Sequence, residues 1–171
     1  MDDRYPPDVD ERSPVCLSFL AKLRRTPDKA QRRTILSACI KLRAPWVEEL
    51  LWEALADPNE GIRDLVSREL RRRQPLALGP ALRRLRLPPW FARSAALRII
   101  GHQRVREAVP EIRRTIDDAN ADVRRAAAEA LSDIGGEEAL RLLVRLKKDA
   151  NPYVRTAAED AIRKTSGVRF S

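Results

Sequence analysis

Histidine occurs once in this chain, as His102, cysteine occurs twice, and only eight of the 171 residues are aromatic. Each scarcity excludes something. One histidine and two cysteines cannot form a site with zinc-ligand spacing. Cys16 and Cys39 sit in the apolar stretches PVCLSFL and ILSACIKL and read as buried free thiols of a reducing compartment, not as a disulfide framework. The six glycines form no phosphate-cradling or dinucleotide loop. Apolar runs stay far below the ~20 residues that span a bilayer. The opening MDDRYPPDVDE is acidic and proline-containing, the reverse of a signal or transit peptide. A cytoplasmic protein without membrane contact is expected, monomeric and without a cofactor or metal. No converging set of nucleophile, base and ligand suggests an enzyme.

Positive charge, by contrast, is abundant. Arg outnumbers Lys 28 to 6, and the net charge is +9. Residues 63–106 hold twelve arginines against two acids, Asp64 and Glu69, a local +10 that leaves the rest of the chain at −1. The first twelve residues hold five acids and two arginines. The segment 1–12 is expected to be flexible and able to compete weakly for the basic centre.

The arginines also recur. Arg33, Arg63, Arg93, Arg124 and Arg155 are separated by 30, 30, 31 and 31 residues, each inside a small-residue helical pattern such as NADVRRAAAEAL (120–131) or NPYVRTAAEDAI (151–162). Around them, offsets −1, +2, +3 and +7 are mostly apolar, which places one stripe on an α-helix. Asp57–Asn59, Asp118–Asn120 and Asp149–Asn151 precede three of these helices, with the asparagine suited to cap the first turn. More hydrophobic helices come first, as in PWVEELLWEAL (45–55), AVPEIRRTI (108–116) and EEALRLLVRL (137–146). A period near thirty over most of the chain is the mark of a solenoid.

The AVPEI start of one first helix and the D-x-N-x-x-V-R-x-A-A-x-x-A-L second helix resemble the short HEAT-like repeat of the phycobilin-lyase type, over about residues 14–165. The resemblance implies an all-α, right-handed α-solenoid of about five antiparallel helix pairs, near 14–43, 45–73, 76–102, 104–134 and 137–165, within a repeat region 13–165 and before a tail at 166–171. Such repeats occur in lyases, glycosylases, hydroxylases and plain scaffolds, so the fold leaves function open. The His-Glu pairs of the iron-binding hydroxylases are absent. A glycosylase of this type would use Trp46, Trp52 or Trp90 with an acid such as Asp64, and a lyase subunit would need a bilin site that nothing here marks. Both fit less well than a non-catalytic scaffold.

Under this reading the repeating Arg33, Arg63, Arg93, Arg124 and Arg155, with Asp57, Asp118 and Asp149, are structural. In three repeats the arginine lies six residues after an aspartate, where the two can pair across the turn. Offsets +1, +5 and +8 then face the concave side. These offsets give Lys41, Arg68, Arg71 and Arg98, and with Arg72 on the adjoining edge and His102 at the helix end they are the candidate binding residues, basic in repeats two and three. Repeat three breaks the Asp-x-Asn pattern with Leu87-Pro88-Pro89-Trp90-Phe91. Trp90 and Phe91 are either an aromatic patch for a partner or filling for the space beside Ala92, Ala95 and Ala96. The expected partner is an acidic protein segment, and the alternative is nucleic acid held without sequence specificity.

Overall fold

The computed structural model describes residues 13–167, so the acidic segment 1–12 and most of the tail lie outside the described residues. Ten α-helices follow one another in pairs: α1 (Pro14–Arg25) with α2 (Lys29–Ile40), α3 (Pro45–Ala54) with α4 (Glu60–Arg72), α5 (Leu78–Arg86) with α6 (Trp90–His102), α7 (Val109–Thr115) with α8 (Ala121–Ile134), and α9 (Glu137–Leu146) with α10 (Pro152–Gly167). A 3-10 turn, Arg106–Ala108, leads into α7. Among the described residues there is no strand, and the molecule is an all-α solenoid.

The apolar stripe explains the stacking. Ile62, Val66 and Leu70 of α4, Ala92, Ala96 and Ile100 of α6, and Val123, Ala127 and Leu131 of α8 are all buried at the same three offsets. Small residues bring the later helices especially close. A side chain at Gly101 of α6 would place its Cβ 2.6 Å from the Cα of Ala130 in α8, so the two backbones are nearly in contact there. Gly101, expected to face the concave side, is buried in this seam instead.

The Asp-x-Asn turns do two jobs at once. Asn59, Asn120 and Asn151 accept hydrogen bonds from first-turn amides of α4, α8 and α10. Asp57, Asp118 and Asp149 accept the amide of the asparagine two residues on, at 2.8–2.9 Å. Each aspartate also receives an arginine, but from the preceding repeat. Arg32 grips Asp57, Arg93 grips Asp118 and Arg124 grips Asp149, each bidentately at 2.7–3.0 Å and each 25 residues apart. Within its own repeat, the arginine of a rung reaches the aspartate only through the backbone. Arg124 Nη1 donates to the carbonyls of Asp118 and Ala119, and Arg63 and Arg155 bond their own turns in the same way.

Two expectations are corrected by this geometry. The carboxylate pairing runs between repeats, not across one turn. The first member of the ladder is Arg32, which is buried in its rung, whereas Arg33 is exposed and takes no part in it. The capping residue decides the phase: Asp28 caps α2 four residues before Arg32, as Asn59 caps α4 four before Arg63. The apolar offsets alone favoured Arg33, because Leu36 and Ile40 fall three and seven residues after it.

A second set of links ties the opposite ends of the second helices. Gln103 donates to the carbonyls of Leu70 and Arg73, and Arg73 donates to that of Ile40. On the first helices, Arg86 holds the buried Glu111 with two bonds of 2.7 and 2.8 Å.

Candidate binding groove on the second helices

Most residues one, five and eight places after Arg63, Arg93, Arg124 and Arg155 line two adjoining open depressions along α4, α6, α8 and α10. The first, about 560 Å³, is bordered by Arg63, Arg68 and Arg71 of α4 and by Trp90, Phe91 and Arg98 of α6. The second, about 670 Å³, is bordered by Arg98 and His102 of α6, Glu129 and Asp133 of α8, and Tyr153 and Lys164 of α10. Arg71, Arg98 and Arg125 border both, so the two form one continuous groove.

Much of the positive charge counted along the chain is already spent. Arg98 pairs with Glu129 at 3.1 Å, and Arg125 approaches the same carboxylate at 3.7 Å. Arg84 is buried against Glu53, Arg86 holds Glu111, Arg93 holds Asp118 and Arg73 holds Glu69. Four of those five acids lie outside the 63–106 window, one repeat before or after their arginines. Acids also line the groove itself, including Glu60, Asp64 and Asp122 in the first depression. Within the groove, Arg68 and Arg71 are exposed and have no ion-pair partner among the described residues.

The other expected binding residues divide. His102 is exposed on the second depression. Lys41 and Arg72 are not in the groove. They border a separate depression of about 620 Å³ at the C-terminal ends of α2 and α4, with Arg43 and Arg73. The aromatic pair divides too. Phe91 is half-buried against the core, while Trp90 is 43% exposed and meets the Phe91 ring edge-on at 5.9 Å. Trp46 stacks on Phe19 at 5.0 Å and Trp52 is buried, so neither of these two borders the groove. Sequence reasoning missed Arg125 and Tyr153, the latter 75% exposed. The +1 column would have supplied Arg125, whereas Tyr153 lies two residues before its arginine and had no signal.

The irregular third turn changes the ladder. Leu87 stands where Asp57 and Asp118 stand, and Pro89 replaces the capping asparagine, so no side chain caps α6. Arg63 therefore has no carboxylate to grip among the described residues. Its Nη1 still bonds the carbonyls of Asp57 and Pro58 at 2.9 Å, and its guanidinium carbon lies 4.5 Å from the centre of the Phe91 ring.

Hydrogen bonds from Arg124 hold the Asp149 carboxyl below the ordinary carboxylate range, against the effect of its burial and with help from the Asn151 amide. Burial pushes the Glu111 carboxyl up, but the hydrogen bonds and charges of Arg86 and Arg114 outweigh it and leave it below that range. Burial raises the Cys39 thiol, which makes it a poor nucleophile. Among the described residues no group of three or more His, Cys, Asp or Glu is placed to hold a metal ion.

A family model described as HEAT repeats matches residues 76–163, just over half of the chain. The chain belongs to the HEAT-repeat proteins. Among solved structures, this HEAT-repeat chain is similar to the complex of CpcE and CpcF of phycocyanin lyase from a Nostoc species, with a TM-score of 0.59 and 18% identity over 98% of this chain and 70% of that one. At that identity the likeness concerns the fold alone. No curated protein matches. HEAT-repeat folds are in general binding scaffolds, and no helix among the described residues is long and apolar enough to cross a membrane.

Proposed function

We propose that this HEAT-repeat chain is a scaffold without chemistry of its own that holds an acidic segment of another protein along the groove of α4, α6, α8 and α10. The observation that carries the reading is the pair Arg68 and Arg71. They are exposed and uncommitted beside the exposed Trp90, in a molecule whose other groove arginines are engaged by acids, carbonyls or an aromatic ring. A desolvated aromatic flanked by arginines is a common energetic centre of protein interfaces. Nucleic acid is the weaker reading, because a phosphate backbone is held by a row of cations, and the groove offers only Arg68 and Arg71 uncommitted among the described residues. Phycocyanin lyase is what the Nostoc complex is described as, and nothing in this groove carries that activity over.

The test is fluorescence anisotropy at low salt with a labelled peptide alternating Asp and Ser, compared with its Asn–Ser counterpart and with single- and double-stranded oligonucleotides. Binding of the Asp peptide alone, lost in the double variant Arg68→Glu/Arg71→Glu, is the expected result. Binding of the oligonucleotides in preference to the peptide would replace this reading with the nucleic-acid one.

A further inference from the structure

The ladder supplies its own template for a ligand site. Three rungs are filled, and in each an aspartate occupies the fork formed by Nε and Nη2 of an arginine. Arg32, Arg93 and Arg124 show the filled fork, and for Arg32 and Arg124 the carbonyl bonds are present as well. Arg63 has the carbonyl bonds and lacks the aspartate, because its repeat partner is Leu87. The guanidinium is thus held as in a rung while its carboxylate-binding edge has no carboxylate among the described residues. Phe91 stacks beside it, and stacking on a ring leaves the in-plane donors of a guanidinium free for a bidentate acceptor.

Arg63 also borders the first depression of the groove, in company with Arg68 and Trp90. The neighbouring turn lacks a second acceptor as well, since Pro89 cannot cap α6 as asparagine caps α4 and α8. One turn therefore lacks both of the acidic or polar side chains that its counterparts carry; Leu87 and Pro88 border a separate depression with Asp57 and Pro58, and Trp90 and Phe91, which follow them, border the groove.

We infer that Arg63 is the anchoring receptor for a carboxylate side chain of the acidic partner, which completes the missing rung in trans. The occupant is an aspartate or glutamate within a protein segment, with aspartate matching the three rungs already filled. Arg68 and Arg71 then attract the segment by charge, and Arg63 fixes one residue of it by bidentate geometry. This deepens the proposed function and rests on it, but it has a separate signature. Geometry, not charge alone, decides binding at Arg63.

Two variants test it with the labelled Asp–Ser peptide. Arg63→Lys keeps the charge and removes the fork, and should weaken binding about tenfold. Leu87→Asp supplies the missing carboxylate from within the chain. It should raise the midpoint of thermal unfolding and abolish the Arg63-dependent part of binding. Binding that is unchanged in Arg63→Lys, yet lost in Arg68→Glu/Arg71→Glu, would overturn the anchor and leave the acidic-segment reading standing. Binding of the peptide by none of the proteins would overturn both. If Leu87→Asp fails to fold, Arg63→Lys decides alone. An oligonucleotide that binds with the Arg63→Lys dependence, while the peptide does not bind, would likewise overturn the proposal.

Discussion

Two neighbouring arginines in α2 have opposite situations. Arg32 makes four hydrogen bonds, two to Asp57 and two to the carbonyls of Thr26 and Pro27, and both members of the ion pair are nearly buried. Arg33 is exposed. Arg32→Ala should therefore cost about 2–3 kcal/mol in urea unfolding, through a stranded carboxylate and two unsatisfied carbonyls. Arg33→Ala should stay within about 0.5 kcal/mol. Equal effects would contradict the phase of the ladder. The contrast also marks what the sequence concealed. Both residues fit the repeat, and only the position of the cap at Asp28 separates them. The net charge of the arginine-rich window was hidden for a related reason, since Glu53, Glu111, Asp118 and Glu129 neutralise its arginines from one repeat away.

Between elements, the tightest constraint is the approach of α6 to α8. Gly101→Ala must push α8 away or bend the seam, since the new Cβ would lie 2.6 Å from a backbone atom. A loss of about 1–3 kcal/mol is expected, as for other overpacked contacts. Gly79→Ala in the first turns of α5 meets nothing within 4 Å and should be neutral or slightly stabilising. Chemical denaturation of the two variants checks both. Helix ends were the more readable part of the sequence. Asp-x-Asn foretold three caps because the chemistry is local, and the apolar offsets foretold the buried rows of α4, α6 and α8. The gripping of each aspartate by the repeat before it could not be read, because it depends on how far apart the stacked turns lie.

At the scale of the whole molecule, the rungs couple stability to acidity. Asp149 and Glu111 have native pKa values below their unfolded ones. Their pairs thus contribute in full above the ordinary carboxylate range, about pH 4–5, and lose that contribution as the pH falls through the lowered native values. Asp149→Asn should accordingly be less stable than wild type near neutrality and converge on it in acid. Hydrogen exchange on α10, read between about pH 6 and pH 3, would show the convergence, and a constant gap would contradict it. The period made the solenoid legible from the chain alone. The candidate groove was legible only in part: Arg68, Arg71 and Trp90 stand in it, whereas Lys41 and Arg72 border another depression and Arg98 is paired.

The central claim is that uncommitted positive charge on the groove selects an acidic segment. A charge swap tests it most directly. Arg68→Glu/Arg71→Glu, titrated with the Asp–Ser peptide and with a Lys–Ser peptide, should lose the first and gain the second. Retention of the acidic peptide at wild-type affinity by this variant would contradict the account.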